Sequence, residues 1–107
     1  MGVTAGDMDR AVDLFSGLGE ITTRRMMGGL CLYHAGTIFA ILTPDGELRL
    51  KGAGAFISEL EEAGCTRWNY VRSTGQAGHM PYWSLPEGAG EDPDLACDWA
   101  RRALRHL

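Results

Sequence analysis

Arg24-Arg25-Met26-Met27-Gly28-Gly29-Leu30-Cys31-Leu32-Tyr33 sets paired arginines, methionines and glycines ahead of an apolar, strand-like run. Adjacent glycines in a strand-rich segment are costly, because glycine loses the most backbone freedom on folding and packs no side chain. They mark a bulge, a sharp bend or a close approach of another backbone. The ordinary reading is a structural bulge shaped by Gly28 and Gly29. His34-Ala35-Gly36 then reads as a turn centred on Gly36, and Thr37-Ile38-Phe39-Ala40-Ile41-Leu42 as the returning strand. The stretch is therefore expected to be a kinked hairpin with two arginines at its entrance.

Outward from this hairpin, the pattern predicts an α+β domain. Asp7 can cap a helix running to about Leu18, with Met8, Ala11, Val12, Phe15 and Leu18 on one face. Met1 to Gly6 precede it as a loose arm. Strands are expected over Ile21 to Met27, Leu30 to Tyr33, Thr37 to Leu42 and Glu47 to Lys51. Thr43-Pro44-Asp45-Gly46 supplies a turn, with proline fixing one φ and glycine allowing a positive one. Short turns between these strands imply an antiparallel meander. A middle helix follows over about Ala55 to Ala63, with Phe56, Ile57 and Leu60 on one side and Gly64 as its stop. Thr66 to Val71 reads as a strand, Gly75 to Gly78 as a loop, and Met80 to Leu85 as a short strand. Pro81 suggests an edge or a strand start there. The C-terminal helix is signalled most fully: Asp92 as N-cap, Pro93 at the first position and Asp94 in the first turn. Leu95, Ala96, Trp99, Ala100, Ala103, Leu104 and Leu107 form its apolar face. The three helices pack against the sheet.

A chain of 107 residues is one domain, 1–107, and buries roughly two thirds of its unfolded surface without a metal or disulfide staple. Its net charge of -4 argues against a binder that relies on phosphate neutralisation. Cys31, Cys65 and Cys97 are odd in number and show no C-x-x-C spacing, which suits reduced core residues of a cytoplasmic protein. The N-terminus lacks a basic start followed by an apolar run, so no signal peptide is expected. No uncharged apolar run is long enough to span a bilayer.

No catalytic pattern stands out. His34, His79 and His106 lie apart from one another and from any Cys or carboxylate at metal-ligand spacing, so no metal or cofactor is expected. The Gly17-x-Gly19 and Gly52-x-Gly54 fragments are too short for dinucleotide fingerprints. The carboxylates at Glu59, Glu61 and Glu62 and at Glu87, Glu91, Asp92, Asp94 and Asp98 suit solvated surfaces. Trp68, Tyr70, Tyr82 and Trp83 come from neighbouring strands. They form either a base-stacking face or, more simply, a helix-covered core. Tyr82 and Trp83 alternate, so one of them points away from that core, and Arg24 and Arg25 point to opposite sides of their strand. One arginine is free to pair with a helix carboxylate and the other to meet a partner.

The same residues carry a resemblance. Arg24 to Tyr33, Gly36 and Phe39-Ala40 resemble the Arg-Met-Phe-Gly-Gly signature of the TfoX (Sxy) N-terminal domain family. Leu48-Arg49-Leu50-Lys51, Phe56, Gly64, Trp68-x-Tyr70, Met80-Pro81-Tyr82-Trp83, Leu85-Pro86 and the closing helix with Trp99 follow in register. Met27 stands where Phe is usual, Cys31 where Gly is frequent, and Gly52-Ala53-Gly54 replaces a more acidic link. The resemblance implies a regulator of competence genes acting with a cyclic-AMP receptor-type activator. Full-length relatives carry a further C-terminal helical domain that has no counterpart in these 107 residues.

The resulting expectation is a non-enzymatic domain that binds a protein partner through Arg24, Arg25, Lys51, Tyr82 and Trp83. A homodimer is compatible with it. The first alternative is a ligand-binding or enzymatic pocket lined by Arg25, Lys51 and Tyr82. The second is direct DNA binding, which requires Arg24, Arg72, Arg101, Arg102 and Arg105 to converge on one face.

Overall fold

The computed structural model describes residues 3–26, 28–71 and 77–107. In chain order it runs α1 (Ala5–Leu14), a 3-10 turn (Ser16–Leu18), β1 (Ile21–Met26), β2 (Gly29–His34), β3 (Thr37–Leu42) and β4 (Leu48–Lys51). There follow α2 (Phe56–Glu62), β5 (Arg67–Val71), β6 (Ala77–Ser84) and α3 (Pro93–Leu104). The six strands form one antiparallel sheet in the order β1-β2-β3-β4-β6-β5. The α+β class is as expected. The meander holds through β4; α2 then carries the chain past its neighbour, so that β6 pairs with β4 and β5 takes the far edge.

All three helices lie on one face of the sheet. Ala11, Leu14, Phe56, Leu60, Ala96, Ala100 and Ala103 share a core with Leu30, Leu32, Phe39, Ala40, Leu42, Leu50 and Trp83. Phe15 meets Phe39 edge to face, with centroids 5.2 Å apart, the geometry that the aromatic quadrupole favours. No described helix is long and apolar enough to cross a membrane.

Helix α1 starts earlier than Asp7. Thr4 is the N-cap, and its hydroxyl accepts from the Asp7 amide at 3.1 Å while the Asp7 carboxylate accepts from the Thr4 amide at 3.0 Å. This reciprocal box satisfies two orphan helix donors, so Asp7 belongs to the cap without being the capping residue. Helix α3 matches expectation at its start: Asp92 accepts from the amides of Asp94 and Leu95, and Pro93 is the first helical residue. Its buried stripe is Ala96, Cys97, Ala100 and Ala103, whereas Leu107 is exposed.

The hairpin differs from the bulge reading. Gly28 lies in the turn between β1 and β2, with φ of 84°, and Gly29 opens β2, paired with Met26. A Cβ at Gly29 would stand 2.5 Å from the Leu42 carbonyl oxygen, so close backbone approach fixes glycine there. Met27 lies outside the described residues, as do Arg72 and the first part of the expected 75–78 loop. Ala77 and Gly78 belong to β6 and not to that loop.

The second turn, Ala35-Gly36, has φ of 51° and 82°, the left-handed pair of a two-residue hairpin. The bulge sits one strand later. Leu32 pairs with Ala40 and Tyr33 with Ile38, leaving Phe39 unpaired. Phe39 and Ala40 therefore both turn towards the helices. Pro81 occupies an interior strand, contrary to the edge reading. It is tolerated at the register shift between Arg67 and Asn69, where ladder donors are not required of it.

Candidate interaction surface

Residues paired across an antiparallel sheet share a face, so the register divides the candidate residues. Arg25 pairs with Leu30, and Leu50 with Trp83, on the helix side. Arg24 pairs with Cys31, Ile41 with Arg49, and Lys51 with Tyr82 on the other side. This second face bears no helix among the described residues. Cys31, Ile41 and Tyr82 are buried at its centre, ringed by half-buried Tyr33, Ile38, Trp68 and Met80.

The five residues expected to contact a partner therefore do not converge. Arg24, Lys51 and Tyr82 lie on the helix-free face. Trp83 is only 1% exposed, inside the helix-covered core. Arg25 is exposed but on the helix side, so among the described residues it does not share a face with Lys51 and Tyr82. Nor do the described basic residues of the DNA reading gather on one face. Arg101 and Arg102 belong to α3, across the sheet from Arg24; Arg101 donates to the Gly17 carbonyl, and Arg102 pairs with Asp98 at 2.9 Å. Neither Arg24 nor Arg25 forms an ion pair among the described residues, so the expected link to a helix carboxylate is absent.

Arg49 is the principal residue that the pattern concealed. Its side chain is 13% exposed and reaches within 4.0 Å of Asp45. The guanidinium carbon stands 5.9 Å from the Trp68 ring centroid, within cation–π range. Its buried Nε has no hydrogen-bond partner. The alternation of Leu48-Arg49-Leu50-Lys51 marks Arg49 as outward-facing, but only the second apolar layer explains its burial. That layer did leave a signal. β2 and β3 are almost continuously apolar, as strands covered on both faces are.

Charge is segregated across the fold. Among the described residues no strand contains Asp or Glu, whereas Arg24, Arg25, Arg49, Lys51 and Arg67 are all strand residues. The carboxylates occupy helices and connections. On the helix-free face, Arg24 on β1 and Arg49 with Lys51 on β4 are three strand spacings apart, roughly 14 Å. The uncharged centre on β2 and β3 lies between them. Arg67 is separate, standing 4.9 Å over the Trp83 ring and donating to the Met80 carbonyl.

The titratable groups at the centre are held neutral. Burial pushes the Tyr82 hydroxyl up to about 12, with Cys31 and Tyr33 beside it adding to the shift. Burial also raises the Cys31 thiol, against the opposing Arg24 charge and a hydrogen bond from Tyr33. A thiol shifted upward is a poor nucleophile at neutral pH. The three cysteines are free and buried. No cluster of His, Cys, Asp or Glu suited to a metal ion occurs among the described residues.

Concavities occur among the described residues at both ends of this arrangement. A shallow depression lined by Thr22, Thr23, Arg24, Tyr33 and Gly36 runs beside β1. A groove of about 700 Å³ at the far end of β4 and β6 is bordered by Arg10, Glu47, Ser84, Glu87 and Glu91. None of the expected contact residues lines the groove.

Comparison with known proteins identifies the family of the chain. The model of the family described as TfoX N-terminal domain matches residues 13–107. Over 66 residues the chain is 33% identical to the DNA transformation protein TfoX1 of Aliivibrio fischeri. That match takes in 62% of this chain and 31% of the relative, so less than a third of the relative's length is represented. The family match includes the arginine pair, the whole sheet, α2 and α3, and the chain belongs to the TfoX N-terminal domain family.

Proposed function

We propose that this domain is a non-enzymatic, cytoplasmic protein-interaction module with a competence-related regulatory role. It presents the helix-free face of its sheet to a protein partner. The observation that carries this reading is an apolar centre, Ile38, Tyr33, Trp68 and Met80 around Tyr82, bordered by Arg24 and Lys51. An apolar patch with a polar rim is the usual anatomy of a protein docking surface. The kinship with a DNA transformation protein supports the competence-related part. The partner is a transcription activator, of the cyclic-AMP receptor type that the family resemblance implies.

The test is genetic. Deleting the gene from its host should lower both transformation frequency and transcript levels of DNA-uptake genes. Wild-type protein should restore them, and a folded Arg24→Glu/Lys51→Glu variant should not. Unchanged transformation on deletion, or full rescue by the variant, would contradict the reading.

A further inference from the structure

Strand β1 is the most regular free edge in the molecule. All six of its residues pair with β2 without a register shift, and β1 ends the sheet. Among the described residues nothing pairs with its outer side. Exposed edges are normally blunted by proline, by a bulge, by shortness or by charged side chains. β1 has only the last, Arg24 and Arg25, which oppose a cationic strand but not an acidic one, whereas β5 is interrupted by the shift at Arg67. Thr22 and Thr23 favour extended backbone, and Met26 is 50% exposed.

The two arginines give this edge a chemical preference. Arg24 and Arg25 are adjacent, exposed and on opposite faces, and both are without an ion-pair partner among the described residues. A strand laid beside β1 would place one side chain opposite each of them. Opposite charges at such positions stabilise pairing and like charges weaken it. A second copy of this chain would bring four arginines onto one seam, and none of its described strands offers a carboxylate.

We infer that β1 accepts an extended, acidic segment of a partner protein as a seventh strand. Adjacent carboxylates in that segment face Arg24 on the helix-free side and Arg25 on the helix side. Backbone hydrogen bonds supply the attachment, and the arginine pair sets register and selects for acid. The depression formed by Thr22, Thr23, Arg24, Tyr33 and Gly36 receives side chains of the added strand on the helix-free face. This inference rests on the protein-partner reading above and specifies how the partner is held.

The test uses the full chain and a fluorescein-labelled octapeptide of alternating threonine and valine with two central glutamates. Controls carry two central lysines, or N-methyl groups along one backbone edge. Anisotropy should show the glutamate peptide binding about fivefold or more tightly than the lysine peptide, with N-methylation abolishing binding. Amide shift changes in labelled protein should concentrate on β1. A folded Arg24→Glu/Arg25→Glu variant should reverse the preference. Equal binding of both peptides, no binding at millimolar peptide, shifts centred elsewhere, or a β1-mediated homodimer that excludes peptide would each overturn the inference. A failed peptide arm alongside intact genetic results would remove the edge mechanism alone. The reverse outcome would remove the functional reading.

Discussion

Gly52 and the indole of Trp83 compete for the same space: a Cβ at position 52 would stand 2.6 Å from Cζ3 and 2.7 Å from Cε3 of the ring. Trp83 is 1% exposed and cannot swing into solvent. The Gly52 amide is also fixed, donating to the Pro81 carbonyl at 3.0 Å. Gly52→Ala should therefore lower stability by about 1–3 kcal/mol through overpacking, read as a fall in the urea midpoint at unchanged slope. An unchanged midpoint would show that the indole is free to move.

Tyr82 should ionise late. With its hydroxyl pushed up to about 12 by burial, the folded state holds the proton that an unfolded tyrosine releases near pH 10. The resulting stabilisation is complete below about pH 10 and is lost as pH rises towards 12. Ultraviolet titration should show a late-ionising component, absent in Tyr82→Phe. A variant that retains the late component would place it on another tyrosine.

Ala35 has φ of 51°, in the left-handed region that disfavours a Cβ. Asparagine tolerates that region and is the preferred residue ahead of glycine in this turn. Ala35→Asn should raise stability by about 0.5–1 kcal/mol, measured by thermal and urea unfolding. A loss of stability would contradict the turn assignment.

Arg24→Ala and Arg25→Ala should each leave thermal stability nearly unchanged, within about 0.5 kcal/mol. Neither arginine is buried, and neither is ion-paired among the described residues. A clear drop in melting temperature for either would make it structural and remove it from the interaction surface.

Features with local causes were legible in the sequence. Asp92 and Pro93 mark the start of α3 because capping and proline geometry act within a few residues. Thr43 to Gly46 likewise reads as a turn without tertiary information. The errors arose where distant strands decide. Tyr82 and Trp83 plainly alternate, yet which one faces the helices depends on register, and one residue of slip would exchange them. The bulge falls at Phe39 and not at Gly28-Gly29, because β2 pairs so that Phe39 and Ala40 both enter the core. Pro81 reads as an edge signal, but the interior β6 accommodates it at an irregularity shared with β5. Asp7 reads as an N-cap, but Thr4 holds that place, because the reciprocal box sets the acid three residues further on. The second apolar face was readable in principle from the unbroken runs of β2 and β3. Its cationic rim appears only when Arg24, Arg49 and Lys51 are brought to one side of the sheet.

The most direct measurement of the central claim is affinity capture from host lysate with the full chain as bait, with and without nuclease. Wild type should be run beside folded Arg24→Glu/Lys51→Glu and helix-side Arg105→Glu variants, with recovered proteins quantified by mass spectrometry. The account predicts a transcription activator held by wild type and by Arg105→Glu, lost from Arg24→Glu/Lys51→Glu, and indifferent to nuclease. Capture that survives reversal of Arg24 and Lys51, or that disappears with nuclease, would contradict it.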